Sequence, residues 1–348
     1  MNKITKIGLT ALAGSLASVA GANAGSISVA GGADITWINH DATVGSGDDN
    51  VGNPIGWKNN LTFSGTGELD NGISWTANAY QSDAQALTSS NISFDLAGLG
   101  SLLVDNGAGG AGLDALDDKM PTAWEETWDT GVPSGARTVT GVHGSVSLTY
   151  TLPADILPLG SVVRIGYTPK ADGGSLQADK GTAGGGGNAA DSGMDVTIQM
   201  SPVEGLSVFA GYANIDQHDP NTAGLQGGDD LLSGTYGATF SMGALSIGAQ
   251  QAYINNDTGT TTTVNYYDNV NWGGAFNVND NLSVSYGEFE SEENMGTTGG
   301  QTLEIDSIQI AYNMGGATLK IAETSADNAD YTAGQEVDTT TVALSLAF

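Results

Sequence analysis

Six carboxylates are concentrated in residues 107–141, a segment that contains only two basic side chains. Carboxylates gathered in a narrow, poorly solvated passage attract cations and repel anions. On a hydrated surface loop the same side chains would have no such role, and charged runs are often of that kind. Asp105 lies just before the segment and completes the candidate set. The set consists of Asp105, Asp114, Asp117, Asp118, Glu125, Glu126 and Asp129.

Three basic side chains are candidates for a surface that faces this acidic segment. Lys58, Arg164 and Lys320 all lie in stretches where apolar and polar residues alternate. Neighbouring side chains of a β-strand point to opposite faces, so these three are predicted to lie on the polar face. If the apolar face meets lipid, a charge on it would cost about 2–4 kcal/mol, which favours the same placement. A position near a strand end remains the alternative for each.

Paired carboxylates could also hold a divalent cation. The pairs are Asp48-Asp49, Asp117-Asp118 and Asp229-Asp230, and calcium prefers oxygen ligands of this kind. The spacing matches no known calcium-binding loop, so hydrated acidic loops are the favoured interpretation. The chain has no cysteine, which excludes zinc–thiolate sites. We therefore expect no cofactor, with calcium in the acidic loops as the open alternative.

Catalytic chemistry has little support in the sequence. The three histidines, His40, His143 and His218, show no metal-ligand spacing. His143, two residues before Ser145, is the one loose candidate for a serine–histidine pair. The glycines at 184–187 indicate a flexible loop, because no nucleotide-binding motif follows them. We expect no catalytic residue and no enzymatic activity.

The N-terminal residues have the organisation of a secretory signal peptide. Lys3 and Lys6 precede a short apolar stretch, and Ala22-Asn23-Ala24 supplies a cleavage site of small residues. Residues 1–24 are therefore predicted to be removed, leaving 25–348 as one domain. The loss of two lysines takes the net charge from −30 to −32, which excludes nucleic acid as a partner. No later apolar run is long enough for a membrane-spanning helix.

Alternation between apolar and small polar residues runs through the rest of the chain. The opposite face of each predicted strand carries mainly Ser, Thr, Ala, Gly and Asn, which suits the wet interior of a wide barrel whose apolar face meets lipid. Because backbone groups in lipid must all be paired, such a sheet must close. A soluble sandwich is the alternative. The predicted strands are 26–37, 57–68, 73–82, 91–97, 100–106, 142–152, 161–170, 193–201, 206–216, 233–241, 244–255, 264–278, 282–291, 304–314, 317–327 and 338–348.

The connections between these sixteen predicted strands alternate strictly between short and long. This alternation is typical of an antiparallel transmembrane β-barrel, which has short periplasmic turns and long external loops. The third long connection, 107–141, is the acidic segment, and a loop of this length without its own fold is usually functional. The predicted long connections are 38–56, 83–90, 107–141, 171–192, 217–232, 256–263, 292–303 and 328–337.

Three features of the sequence resemble one known family. The chain ends in Leu346-Ala347-Phe348, and residues 61–73 have the sequence LTFSGTGELDNGI. Gly110-Ala111 and then Asp114-Ala115-Leu116 follow the fifth predicted strand. In these features the chain resembles the general, trimeric porins of Gram-negative bacteria, particularly their alphaproteobacterial branch.

The resemblance implies a location in the outer membrane and a homotrimer. It also implies that loop 107–141 folds into the pore and that Phe348 is the membrane-assembly signal. The expected function is passive diffusion of small hydrophilic solutes and ions, with a preference for cations that rests on the acidic loop and the net charge. Two alternatives stay open: a channel selective for one substrate class, with Trp124 and Trp128 stacking on the ligand, and a secreted structural β protein that acts as an adhesin.

Overall fold

The structure is a computed structural model that describes residues 24–42, 52–82, 87–142, 146–171, 190–217, 230–255, 264, 266–295 and 299–348. The predicted signal peptide lies outside these residues, apart from Ala24. Within the described residues, no helix has the length and apolar character needed to cross a membrane. The part of the chain that the structure describes contains three short 3-10 helices, Leu113–Leu116, Ala154–Ile156 and Ala329–Tyr331.

Sixteen β-strands of the described residues close into an antiparallel barrel. Each strand pairs with its neighbours in sequence, and the first pairs with the last. The strands are β1 (Ala24–Ala42), β2 (Ile55–Glu68), β3 (Ser74–Gln81), β4 (Leu87–Asp95), β5 (Ser101–Asn106), β6 (Val146–Thr151), β7 (Val162–Thr168), β8 (Ala190–Val203), β9 (Leu206–Gln217), β10 (Leu231–Met242), β11 (Leu245–Asn255), β12 (Tyr266–Asn279), β13 (Leu282–Asn294), β14 (Gly299–Asn313), β15 (Ala317–Asp327) and β16 (Glu336–Ala347).

The closed barrel confirms the predicted fold class and excludes the sandwich. The main errors of the prediction are at the external strand ends. β1 continues to Ala42, and β14 begins at Gly299, so the loop predicted at 292–303 shortens to residues 295–298. Many of the added residues are polar, for example Glu292 paired with Thr302. Antiparallel backbone hydrogen bonds form without an apolar face, which is why the hydrophobic pattern ends before the strand does.

The two faces of the barrel wall have opposite character. On β14, Ile308 and Ile310 are 55% and 39% exposed. The alternate residues Ser307 and Gln309 are each only 1% exposed. We call the buried side the polar face and the exposed side the apolar face. This distribution is the reverse of a soluble domain, whose apolar residues are the buried ones. It matches the orientation predicted from the alternation.

Among the residues that the structure describes, buried apolar side chains form two clusters, each shared by strands and by the segment that follows β5. Leu113 and Leu116 of that segment pack near Phe209 of β9, and Val132 packs near Leu303 of β14. The segment therefore has its own hydrophobic attachment to the wall at two separate places.

The barrel closes at the pairing of β1 with β16. The paired residues run from Gly32 opposite Ala347 to Ala42 opposite Val337. Phe348 extends this pairing, because its backbone exchanges two hydrogen bonds of 2.9 Å with Gly31. Its side chain is 75% exposed. The role of Phe348 in membrane assembly stays a prediction.

Candidate functional site

The acidic segment 107–141 is attached to the polar face of the wall by side-chain hydrogen bonds. Near its start, the backbone N–H of Leu113 donates to Asp195 Oδ2 of β8 at 3.1 Å. One turn later, Gln250 Nε2 of β11 donates to the carbonyl oxygen of Leu116 at 2.6 Å. Both wall residues are buried. These bonds satisfy backbone groups of a segment that has no sheet partner of its own.

The middle of the segment binds to the strands nearer the end of the chain. The backbone N–H groups of Trp124 and Glu125 both donate to Gln309 Oε1, at 3.0 and 3.1 Å. Gln309 Nε2 also donates a hydrogen bond of 2.8 Å to the carbonyl oxygen of Glu125. Farther along, the hydroxyls of Thr130 and Thr324 are 2.7 Å apart. The segment thus contacts polar-face residues from β8 to β15.

Glycines on the wall make room for this close packing, and sequence reasoning missed them. A Cβ atom added at Gly211 would lie 2.6 Å from Leu113 Cδ1, and one added at Gly248 would lie 2.9 Å from Pro121 Cδ. Such distances are shorter than van der Waals contact, so a side chain at either place would force the contacting side chain of the segment to shift. The signal in the sequence is glycine at a polar-face position inside a strand.

Two of the predicted carboxylates organise the start of the segment. Asp105 is 1% exposed, and its Oδ2 accepts the backbone N–H groups of Ala108 and Gly109. Asp114 accepts those of Gly110 and Gly112. Asp105 is therefore a buried carboxylate bound to a turn, and its role in lining a passage stays a prediction. The sequence alone could not separate this role from a solvent-facing one.

Three other carboxylates come together in the second half of the segment. Oxygen atoms of Glu125, Glu126 and Asp129 lie within 4.8 Å of one another. Burial raises the pKa of Glu126 to about 7, and the negative charges of its neighbours, including Asp118, act in the same direction. Burial also raises the pKa of Asp129. Oxygens at this separation could hold a cation, and they make the region strongly attractive to one.

Two of the three predicted basic residues act on these carboxylates. The positive charges of Lys58 and Lys320 oppose the burial that raises the pKa of Glu125, and Lys58 also opposes it at Asp129. Lys320 Nζ lies 5.5 Å from the ring centroid of Trp124. Among the described residues, the third, Arg164, has no such effect on either pKa. The structure therefore brings Lys58 and Lys320 toward the segment, and Arg164 does not join them.

Asp117 and Asp118 form the pair that the sequence offered for calcium. Burial, with the charges of Asp118 and Asp114, raises the pKa of Asp117 to about 8. Asp118 itself is exposed. Calcium binding at this pair stays a prediction. Of the other two pairs, only Asp230 lies within the described residues.

The other residues considered for catalysis or ligand binding are the three histidines and Trp128. His40 Nδ1 lies 2.9 Å from Thr339 Oγ1 of the neighbouring strand. His143 and His218 lie outside the described residues. Trp128, suggested as a ligand-stacking residue, packs against Phe289 with ring centroids 4.9 Å apart.

The same barrel occurs in proteins of known structure. No protein-family model matches the sequence, and no curated protein matches it. OmpF of Salmonella typhi in complex with daunomycin aligns with a TM-score of 0.65 at 14% identity, covering 93% of this chain and 98% of that chain. A mutant of Rh. blastica porin gives 0.57 at 14% identity, covering 93% and 100%. A loop-deletion mutant of OmpT, an outer membrane protein of Vibrio cholerae, gives 0.60 at 12% identity, covering 92% and 99%. The chain is similar to these proteins over nearly its whole length, and this likeness shows their fold.

Proposed function

We propose that the chain forms a water-filled channel in the outer membrane for passive diffusion of small hydrophilic solutes and ions. The observation that carries the proposal is the inverted wall of the closed barrel. Exposed apolar residues such as Ile308 suit acyl chains, while buried Ser and Thr on the polar face suit a hydrated interior. A closed sheet leaves no unpaired backbone edge in lipid. Passive diffusion needs no catalytic residue.

We infer that segment 107–141 narrows the channel. It hydrogen-bonds to Asp195, Gln250 and Gln309, all on the polar face. If the apolar face meets lipid, the polar face borders the lumen, and a segment bound to it from β8 to β15 crosses that lumen. The similar structures include proteins whose names identify them as porins, which supports the proposed channel.

The charges of this segment favour a preference for cations. Glu125, Glu126 and Asp129 outnumber the two lysines that act on them. A negative throat with poorly polarisable walls concentrates cations and repels anions. The preference should weaken at high salt, because the screening length falls to about 3 Å at 1 M.

The remaining parts of the proposal concern assembly. The predicted signal peptide 1–24 supports export, and the proposed location is the outer membrane, with its lipids as partners. OmpT, one of the similar structures, is named as an outer membrane protein. A homotrimer is proposed from the family resemblance, and Phe348 is proposed as the signal for assembly into the outer membrane.

Liposome swelling tests the channel and its narrowing together. Vesicles that contain the purified protein should swell in small sugars and progressively less in larger oligosaccharides. Swelling that is equal to that of protein-free vesicles would refute diffusion through the barrel. Swelling with no dependence on solute size would refute the narrowing by segment 107–141.

A further inference from the structure

A small cavity lies between the acidic segment and the wall at β11 and β12. Its volume is about 10 Å³, and Asp117 lines it from the segment while Gln250, Asn269 and Asn271 line it from the wall. That is about the room that one water-sized particle needs. The cavity is separate from the cluster of Glu125, Glu126 and Asp129, none of which lines it.

Hydrogen bonds fix the orientation of two of the wall amides. Gln250 Nε2 donates to the carbonyl oxygen of Leu116 at 2.6 Å and to Thr235 Oγ1 at 2.8 Å. Asn269 Nδ2 donates to the carbonyl oxygen of Arg137 at 2.6 Å. Each of these two amide nitrogens therefore donates to a protein atom, and the amide oxygen of each side chain is oriented away from those bonds.

Three amide oxygens lack a hydrogen-bond partner here. Gln250 Oε1, Asn269 Oδ1 and Asn271 Oδ1 are all buried and unpaired, and the three residues are 6%, 3% and 4% exposed. Gln250 is directly opposite Asn271 in the pairing of β11 with β12, and Asn269 lies two residues along the same face. Each unpaired buried acceptor costs about 1–3 kcal/mol. Three of them at one small cavity indicate a ligand that all three can contact.

The chemistry of these atoms distinguishes a cation from water. A water molecule donates two hydrogen bonds, so it cannot satisfy three oxygen acceptors, whereas a hard cation contacts every surrounding oxygen. One carboxyl group lines the cavity, and in its ionised form a single positive charge neutralises it. A divalent ion would leave an excess buried charge, which is expensive. We propose that Asp117, Gln250, Asn269 and Asn271 bind one alkali cation, sodium or potassium, stripped of most of its water.

The position of this site gives the cation a structural role. Asp117 belongs to the acidic segment, while the three amides belong to the wall, so a shared ion joins the two. The segment next to it, including Leu113 and Leu116, packs in the same buried cluster as Phe209. Bound cation should therefore slow the opening of residues 113–120 away from the wall. This role does not depend on whether the barrel conducts ions.

Hydrogen exchange of the purified full chain tests the site. Backbone amides of residues 113–120 should exchange several-fold more slowly in sodium or potassium chloride than in N-methylglucamine chloride of equal ionic strength. Asp117→Asn and Asn271→Leu should each remove this difference. Gln309→Leu is the matched control, because it removes a wall amide that holds the segment elsewhere and should leave the difference intact.

Each contrary outcome has a defined meaning. Equal exchange in all three salts would show that the cavity holds only water, and it would overturn the proposal. A difference that persists in Asn271→Leu and Asp117→Asn would place the cation elsewhere. Protection that requires calcium would make the site divalent and would contradict the charge argument. If Asn271→Leu does not fold, the unaltered protein and Asp117→Asn still decide the question.

Discussion

At the scale of single residues, the main feature is carboxyl groups held where ionisation is costly. Burial raises the pKa of Glu126 to about 7, above its ordinary value of 4.5, with support from nearby negative charges. Ionisation of Glu126 therefore destabilises the folded position of the segment, and this destabilisation grows as the pH rises from 4.5, the ordinary pKa, to about 7. Below that range the group is neutral and this destabilisation is absent.

Cation preference should consequently depend on pH. On either side of pH 7, the reversal potential in a potassium chloride gradient should show a stronger cation preference at the higher pH, because Glu126 becomes charged. Glu126→Gln should lower the preference at high pH and flatten this dependence. Glu68→Gln, on β2, serves as the control with an equal loss of charge. An unchanged pH profile in Glu126→Gln would contradict the role assigned to Glu126.

The lysine that faces the segment gives a second prediction. Lys320→Ala should strengthen cation preference, because its positive charge acts on Glu125 and lies over the ring of Trp124. Reversal potentials should shift further toward the cation limit. Lys170→Ala is a suitable control, since Lys170 lies outside the acidic segment and its Nζ is 4.0 Å from Asp191 Oδ1. An equal shift in both variants would mean that only net charge matters.

Sequence reasoning recovers part of this residue-scale organisation. Strand parity predicts Lys58 and Lys320 on the polar face, and the structure brings both toward the carboxylates. Parity does not show which strands face the segment, so it places Arg164 on the polar face together with the two lysines. It also cannot show that Asp105 is buried in a turn, because that depends on how the backbone folds after β5. These distinctions depend on tertiary packing, which the periodicity of the sequence does not show.

At the scale of elements, a long irregular segment is held by specific wall positions. The Gln309 side chain hydrogen-bonds to three backbone groups of Trp124 and Glu125, which have no partner strand in the sheet. Gly211 supplies the space that Leu113 fills. The sequence predicts the segment from its length, but it gives no sign of which amides and glycines receive it.

Loss of the Gln309 amide should loosen the middle of the segment. Gln309→Leu leaves the N–H groups of Trp124 and Glu125 without a partner, at about 1–3 kcal/mol for each buried group. Single-channel recordings should show more frequent conductance fluctuations. Gln199→Leu is the control, because Gln199 bonds to Ser207 on the neighbouring strand. Identical noise in the two variants would refute the anchoring role.

Filling the space at Gly211 should disturb the packing of the start of the segment against the wall. Gly211→Val places atoms against Leu113 and Leu116, and overpacking of this kind typically costs about 1–3 kcal/mol. The midpoint of urea unfolding in detergent should fall. Gly65→Val is the control, since a Cβ atom at Gly65 meets nothing within 4 Å. Equal stability of both variants would argue against close packing at Gly211.

At the scale of the whole molecule, sixteen strands close with an apolar exterior and a polar interior. Alternation along the chain was sufficient to predict the number of strands and the direction of each face. The strand ends were harder, because residues such as Glu292 extend the ladder beyond the apolar pattern. Closure follows from the need to pair every backbone group in lipid. The sequence indicates this need only through the apolar face of each strand.

Current through a planar lipid bilayer tests the central claim most directly. The purified chain should insert in discrete conductance steps, and a potassium chloride gradient should give a reversal potential of the sign expected for a cation-preferring pore. Folded protein that inserts without conductance would contradict the proposed channel. Stepwise conductance with anion preference would retain the channel and contradict the role of the acidic segment.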